Sequence, residues 1–168
     1  MASVLKVDTV LKANGNGFPL SGFVGPTFKA YKSAAQNSVT HNGGVKVTFE
    51  TEVWDSDSCY NTSNSRFTPD VAGYYLITAQ LEISHAVDEA RVMGMLYKNG
   101  SEFMRFERRG TDIYLGGYSL QSLNFTVDDD ASVSDYYEVY GYFETIDSTY
   151  TSSGYTMANF FKGFKLIT

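Results

Sequence analysis

The segment Ala72–Ser84 constrains the fold more than any other part of the sequence. Its residues alternate regularly, as they do along a β-strand, where successive side chains point to opposite faces. One set of alternate positions carries Tyr75, Ile77, Ala79, Leu81 and Ile83, and the other carries Tyr74, Leu76, Thr78, Gln80 and Glu82. The first set predicts a face buried in a sandwich core. The second set also contains large apolar side chains, so it needs a cover of its own, since monomers seldom leave large apolar patches in water.

Further strands are predicted along the chain, separated by turns rich in Gly, Asn, Asp and Ser. No helical 3.6-residue period of useful length is present. Lys98-Asn99-Gly100-Ser101 is a strong hairpin signal, and Asp128-Asp129-Asp130 is interpreted as a turn. The fold class is therefore all-β, a sandwich or jelly roll. The other predicted strands are Phe28–Ala34, Gly44–Val53, Arg91–Tyr97, Glu102–Glu107, Asp112–Val127 (bent at Gly116-Gly117), Ser132–Ile146 and Phe160–Ile167.

Length and charge exclude several classes of protein. The chain of 168 residues suits one domain, and its 13 basic against 19 acidic residues argue against a nucleic-acid partner. The single cysteine, Cys59, excludes an internal disulfide, and no apolar run is long enough for a membrane helix, so no membrane insertion is expected. Lys6 and Asp8 stand where a signal peptide has its apolar core, so we expect synthesis in a cytoplasm.

The first 25 residues are interpreted as an extended arm, and residues 26–168 as the domain. Val4–Leu11 is β-prone, and Asn14-Gly15-Asn16-Gly17 then interrupts it. A short strand of this kind has no partner of its own for its backbone groups, so the arm is expected to attach by adding a strand to another protein. The side chains expected to make that attachment are Val4, Leu5, Val7, Val10 and Leu11.

Between Phe49 and Ala79 the sequence resembles the signature of the C1q-like branch of the tumour-necrosis-factor superfamily. Six positions of that pattern are present with every spacing kept: Phe49, Asp55, Tyr60, Phe67, Gly73 and Tyr75. The pattern then expects two aromatic residues, but this chain has Ile77 and Ala79. These departures mark a distant member of the family, in which neighbouring side chains have to supply the missing core volume. Ile113–Gly117 resembles the family strand at the threefold axis, and Phe161–Leu166 the closing strand.

The resemblance implies a ten-stranded jelly roll that assembles as a homotrimer. By family position, the alternate residues Tyr75 to Leu81 face the core. The residues that would then face the partner subunits are Leu76, Thr78, Gln80, Tyr114, Tyr118, Phe161 and Ile167. A monomer whose second face is covered by a loop is the alternative.

The arm has a resemblance of its own. Leu5–Val10 followed by Asn-Gly looks like the start of many tailed-phage virion proteins. Together with the trimeric domain, this predicts a phage virion structural protein, with capsid or tail proteins as partners. The short arm favours a knob that decorates or cements the capsid over the receptor-binding tip of a tail fibre. A secreted or surface-bound adhesion or signalling trimer is the alternative from a different class.

The residues offer little for catalysis, so no enzyme activity is expected. Ser84 and His85 are strand neighbours that point to opposite faces and cannot act as nucleophile and base without a bulge. No cofactor is expected apart from calcium as a minor hypothesis, with Asp55, Asp57, Asp128 and Asp130 as candidate oxygen ligands.

Two segments are candidate contact surfaces. The predicted loop Asp147–Tyr155 is rich in Tyr, Ser and Gly, a composition typical of adaptable binding loops. Tyr150 and Tyr155 are its candidates for contact with a host surface protein or glycan. Phe103–Arg109 contains Arg105, Arg108 and Arg109, a basic cluster that suits an acidic partner or simply balances acidic loops.

Overall fold

The structure is a computed structural model that describes residues 25–36, 43–85, 91–109, 119–143, 149–150 and 158–166. Within these ranges the regular structure is β-strand, and no helix is long and apolar enough to cross a membrane. The strands, in chain order, are β1 (Thr27–Tyr31), β2 (Gly44–Lys46), β3 (Thr51–Asp55), β4 (Tyr60–Asn61), β5 (Arg66–Phe67), β6 (Gly73–His85), β7 (Arg91–Lys98), β8 (Ser101–Arg109), β9 (Ser119–Ala131), β10 (Tyr137–Phe143), β11 (Thr149–Tyr150) and β12 (Phe160–Lys165).

The strands form two antiparallel sheets. In the first sheet the order is β11-β6-β12-β1-β3, and β9 pairs with β6 along its whole length. In the second sheet the order is β4-β5-β10-β7-β8, and β2 pairs with β10. Strands that are distant in sequence are neighbours in both sheets, as in a jelly roll, and the all-β prediction is confirmed.

The core lies between the two sheets, and the signature residues build one end of it. Phe49, Phe67 and Tyr75 are fully buried and Tyr60 is nearly so. The Phe28 ring stacks on Phe67 at 4.6 Å between ring centroids and on Tyr60 at 4.9 Å. The spacing of aromatic residues that carried the family resemblance is therefore the spacing that brings these rings together in the core.

The alternation along β6 also holds in the structure. Its odd-numbered side chains from Tyr75 to Ile83 are fully buried. Ala79 has Phe125 of β9 and Phe161 of β12 as its cross-strand neighbours, and both are buried. Two large rings therefore flank the small side chain, and they supply the volume that Ala79 leaves unfilled.

The structure corrects the sequence-based placement of Phe161. We predicted that this ring faces a partner subunit, but it is fully buried in the core, 5.0 Å from Phe28 between ring centroids. Phe161 lies beside the inward-facing Ala79, so the register of β12 on β6 turns it inward. The prediction for Phe161 is therefore wrong.

Several predicted strand limits change as well. Asp128, Asp129 and Asp130 are not a turn, because they continue β9 and pair with residues of β6. The predicted strand Gly44–Val53 is split into β2 and β3, which belong to different sheets. The Asn99-Gly100 hairpin is confirmed, and both residues have positive φ, 54° and 78°, which is the geometry that favours Asn-Gly in two-residue turns.

A polar network beside this hairpin ties the two sheets together. Lys98 reaches across to Asp129 of β9 with 2.6 Å between Nζ and Oδ2, and the Tyr137 hydroxyl also donates to Asp129. Asp135 accepts hydrogen bonds from the Asn99 side chain at 2.7 Å and from the backbone N–H of Ser132 at 2.9 Å. These two interactions, together with the ammonium group of Lys98, lower the pKa of Asp135 to about 2.

Candidate interaction face

The outward surface of the first sheet is the candidate functional site, and we call it the β6 face. It consists of the side chains on β1, β3, β6, β9 and β12 that point away from the core. The register fixes which of them are neighbours. Leu76 lies between Asp128 and Phe164, Thr78 between Thr126 and Lys162, and Gln80 between Asn124 and Phe160.

Large apolar and aromatic side chains are spread over the β6 face. Trp54 is 44% exposed, Tyr74 45% and Phe164 39%. Leu76 and Phe160 are half-buried on the same surface. Aromatic rings exposed on a flat sheet are the side chains that protein interfaces favour most, so this surface is suited to covering by another protein.

The polar side chains in the middle of the face bond to one another. The Thr78 and Thr126 hydroxyls are 3.1 Å apart. The Gln80 amide nitrogen donates to the backbone oxygen of Ala158 at 3.1 Å, and its oxygen accepts from Asn124 at 3.3 Å. Partners within the same chain therefore already satisfy these polar groups when the face is covered.

Charge is distributed unevenly over the β6 face. Lys29 and Lys162 are directly opposite each other on β1 and β12, and both ammonium groups lie 5.4 Å from the centre of the Phe160 ring. Lys29 also lies 5.6 Å from the Trp54 ring. Asp128 and Asp130 are on β9, at the other side of the sheet. The face is thus basic and aromatic on β1 and β12 and acidic on β9.

Sequence analysis identified only part of this face. Leu76, Thr78 and Gln80 do point outward, and whether they contact a partner stays a prediction. Tyr114, Tyr118 and Ile167 lie outside the described residues. The outward residues that sequence analysis missed are Lys29, Tyr31, Trp54, Phe160, Lys162 and Phe164. Alternation in Phe160–Phe164 separates the two sets of side chains, but it does not tell which set is inside.

Most residues of the predicted arm and of the predicted loop Asp147–Tyr155 lie outside the residues that the structure describes. Val4, Leu5, Val7, Val10 and Leu11 lie outside the described residues, as does Tyr155. Tyr150 is not in a loop, because Thr149–Tyr150 forms β11 and pairs with Ile83 and Ser84 at the end of β6. Contact of these tyrosines with a host stays a prediction.

The aspartates predicted as calcium ligands make other interactions or lie on separate parts of the fold. Asp55 accepts hydrogen bonds from the backbone N–H groups of Cys59 at 3.0 Å and Tyr60 at 2.8 Å, so it shapes its own loop. Asp57 bonds to the neighbouring Ser56 hydroxyl. Asp128 and Asp130 lie on a strand. Among the described residues, no three His, Cys, Asp or Glu side chains converge as metal ligands.

Cys59 is the one free thiol of the chain, and it is buried. Its Sγ lies 3.2 Å from Asp55 Oδ1. Burial, followed by the hydrogen bond and the charge of Asp55, raises the pKa of the Cys59 thiol well above its ordinary value. A thiol held in its protonated form is a poor nucleophile, so this site does not suit thiol chemistry.

Comparison with known proteins supports the fold. No protein-family model matches the sequence, and no curated protein does. Among solved structures, the globular domain of zebrafish complement 1qA protein is 15% identical with a TM-score of 0.59, covering 84% of this chain and 98% of that domain. Murine APRIL is 12% identical with a TM-score of 0.60 and the same coverage, 84% and 98%. The Eiger TNF of S. frugiperda is 13% identical with a TM-score of 0.64, covering 86% and 92%.

These similarities hold over nearly the whole length of the other domains. The chain therefore has the jelly-roll fold of C1q and TNF-family domains. At such low sequence identity the likeness concerns the fold alone, and function has to be argued from the β6 face.

Proposed function

We propose that this chain is a non-catalytic protein that assembles as a homotrimer through the β6 face. The observation that carries the proposal is the presence of three exposed aromatic side chains on that face, Tyr74, Phe164 and Trp54. The hydrophobic effect favours burial of these rings, because about 25 cal/mol is gained for each Å² of apolar surface removed from water.

Charge complementarity favours a second copy of the chain as the covering partner. Lys29 and Lys162 lie side by side, and a partner with acidic groups would complement their positive charge. Asp128 and Asp130 of a neighbouring copy would supply them if the β9 side of that copy packs across β1 and β12. A contact between two different patches of the same chain closes into a ring when the rotation allows, as in a trimer.

Two substitutions that each introduce a charge test this assembly. Phe164→Glu places the charge on the β6 face at a ring that is 39% exposed, and Val133→Glu places the same charge at a side chain that is 56% exposed in the turn between β9 and β10. We expect Phe164→Glu to give folded monomers in sedimentation-velocity experiments, whereas Val133→Glu stays trimeric. An unchanged trimer for Phe164→Glu, or dissociation by both variants, would refute the proposed face.

We further propose that the trimer is a phage virion protein, a knob that decorates or cements the capsid. The resemblance of Leu5–Val10 to tailed-phage virion proteins supports this placement. Deletion of residues 1–22 should leave the trimer intact and abolish rebinding to particles stripped of the protein. Rebinding that survives the deletion would place the attachment surface on the jelly roll.

The receptor-binding tip of a tail fibre is the competing placement within the same proposal. The Tyr-rich segment around Tyr150 and Tyr155 favours it. Replacing both tyrosines by alanine separates the two roles, because a decorating knob does not need them for infection. Reduced adsorption to the host with an intact trimer would favour the fibre tip. A trimer that binds no particle at all would favour the adhesion or signalling role.

A further inference from the structure

The side chain of Asn99 joins the hairpin between β7 and β8 to the turn between β9 and β10. Its Nδ2 donates to Asp135 Oδ1 at 2.7 Å, and its Oδ1 accepts from the backbone N–H of Tyr136 at 2.9 Å. The backbone N–H of Asn99 also donates to the Tyr136 oxygen at 3.0 Å. Both polar atoms of the amide are therefore held by residues that lie 36 and 37 positions further along the chain.

Asn99 is followed by Gly100, and this pair is chemically labile. Asparagine is among the thermolabile residues, because the backbone nitrogen of the next residue can attack its side-chain carbonyl carbon. A glycine leaves that nitrogen unshielded, since it has no side chain. The attack forms a bond from Gly100 N to Asn99 Cγ and breaks the bond from Cγ to Nδ2. Nδ2 leaves as ammonia with the proton of the Gly100 nitrogen, and a cyclic succinimide remains. Water then opens this ring at either carbonyl, which leaves an aspartate or an isoaspartate at position 99.

The closed hairpin holds the Asn99 amide in a position that opposes this reaction. For the attack, the amide plane has to turn its face toward the Gly100 nitrogen. The amide cannot turn without breaking its hydrogen bonds to Asp135 and Tyr136. The backbone is fixed as well, because Asn99 and Gly100 have the positive φ values of a two-residue hairpin turn, 54° and 78°.

Tyr136 restrains the hairpin from the other side. A Cβ atom built at Gly100 would lie 3.2 Å from the Tyr136 hydroxyl, so this hydroxyl packs against the glycine backbone. The Arg66 guanidinium lies 3.9 Å from the centre of the Tyr136 ring, a cation–π contact that fixes the ring from β5. Tyr136 therefore restricts the movement of Gly100 as long as the hairpin is closed.

The surroundings of Asn99 are already acidic. The hydrogen bond from Asn99, then the one from the Ser132 backbone N–H and the charge of Lys98, lower the pKa of Asp135 to about 2, so Asp135 is ionised at neutral pH. Lys98 Nζ lies 2.6 Å from Asp129 Oδ2 and 3.2 Å from Asp135 Oδ2, so one ammonium group serves two carboxylates. A carboxylate at position 99 would replace the donor of the 2.7 Å bond to Asp135 by a like charge, and like charges at such a distance repel strongly.

We propose that Asn99 is a self-modification site that becomes reactive only when the hairpin opens. Once the hairpin separates from the β9–β10 turn, the Asn99 side chain deamidates through the succinimide, with water as the co-reactant. The carboxylate that forms repels Asp135 and prevents the hairpin from closing again. Opening of the hairpin is thus recorded irreversibly in the chain. The reaction occurs within one protomer, so this inference does not rest on the proposed assembly or on its placement on a particle.

The rate at which Asn99 loses its amide tests the protection. The full-length protein is incubated at mildly alkaline pH, folded or in urea, and the tryptic peptide 99–105 is then followed by mass spectrometry. Asn99 is the only amide side chain of that peptide. A synthetic peptide of residues 95–103 gives the unprotected rate. We expect amide loss to be roughly tenfold slower or more in the folded protein than in the synthetic peptide, and equally fast in urea.

Two variants separate opening of the hairpin from unfolding of the whole domain. Asp135→Ala removes the acceptor of the Asn99 amide, so it should speed amide loss in the folded protein by roughly fivefold or more. Gly163→Ala is the matched control, because a Cβ there would lie 2.9 Å from a ring carbon of Phe28 and destabilise the domain away from the hairpin. Under native conditions Gly163→Ala should leave the rate of amide loss unchanged.

Asn99→Asp reproduces the product and tests whether the hairpin can close again. Amide hydrogen exchange, measured by NMR, should become roughly tenfold faster or more at the backbone N–H groups of position 99 and Tyr136, because both donate across the junction in the wild type. The Thr68 N–H donates to the Cys59 oxygen beside the β4–β5 hairpin, so its exchange rate should not change and it reports that the rest of the fold is intact.

Three results would overturn the proposal. The first is amide loss in the folded protein as fast as in the synthetic peptide, which would show that the closed hairpin gives no protection. The second is a rate in Asp135→Ala that stays at the wild-type value or is matched by Gly163→Ala. The third is unchanged hydrogen exchange at position 99 and Tyr136 in Asn99→Asp, which would show that the closed hairpin accommodates the carboxylate.

Discussion

Phe160 and Phe161 are adjacent residues of the same type on opposite faces of β12, and they allow a matched test of the fold. Phe161 is fully buried and contacts three aromatic residues, with ring centroids 5.0 Å from Phe28, 5.9 Å from Phe49 and 6.0 Å from Tyr60. Phe160 is half-buried on the β6 face. We predict that Phe161→Ala severely destabilises the domain, whereas Phe160→Ala leaves each protomer folded.

The sizes of the two effects follow from burial. Removing a fully buried phenylalanine side chain typically costs about 3–5 kcal/mol of unfolding free energy, because a cavity replaces the packed ring. A half-buried ring loses about half of the ~1.5–3 kcal/mol that full burial contributes, so Phe160→Ala should cost each protomer about 1 kcal/mol. For a domain of this size, 1 kcal/mol corresponds to about 2–4 °C in melting temperature, so Phe161→Ala should lower it by roughly 6–20 °C.

Thermal unfolding followed by circular dichroism, together with sedimentation equilibrium, separates the two variants. Phe161→Ala should lower the melting temperature at every protein concentration. Phe160→Ala should shift the balance from trimer to monomer, and its melting temperature should depend more strongly on protein concentration than that of the wild type. A loss below about 1 kcal/mol for Phe161→Ala with the fold intact would refute the placement of this ring in the core, because such a small value excludes a cavity of that size.

Three further predictions address packing, pH and thiol reactivity. Gly163→Ala should reduce stability by about 1–3 kcal/mol in urea unfolding, since a Cβ there would lie 2.9 Å from a ring carbon of Phe28, and Phe28→Leu should partly restore it. Asp135 has a pKa of about 2, below its ordinary 3.8. The stability it contributes is therefore present above about pH 4 and lost as the pH falls toward 2. In Asp135→Asn, the free energy of unfolding should depend less on pH between 2 and 4, as measured by urea unfolding between pH 2 and 7. Cys59 should react with iodoacetamide only on unfolding, because burial raises the pKa of its thiol, and labelling of the native protein at pH 8 as fast as in urea would contradict its burial.

The sequence alone determined the fold class and much of the core. The period-two pattern of β6 assigns its buried side chains correctly, because the pleat of a strand sends alternate residues to opposite faces. The spacing from Phe49 to Tyr75 identifies the aromatic cluster only through its resemblance to the C1q-like signature, because these rings come from both sheets. The alternation along β6 and the Asn99-Gly100 hairpin are set by local chain geometry. These features depend on near neighbours along the chain, which a sequence states directly.

Only the tertiary structure decided which face of β12 is inside and which side chains form the β6 face. Alternation divides Phe160–Phe164 into two sets, but the choice between them comes from the register of β12 on β6, where Phe161 lies beside Ala79. A shift of one residue would exchange the two sets. The β6 face was hidden for the same reason, since Trp54, Lys29 and Lys162 meet across strands that are far apart in sequence. Side chains that meet through strand pairing are neighbours only after the sheets have formed.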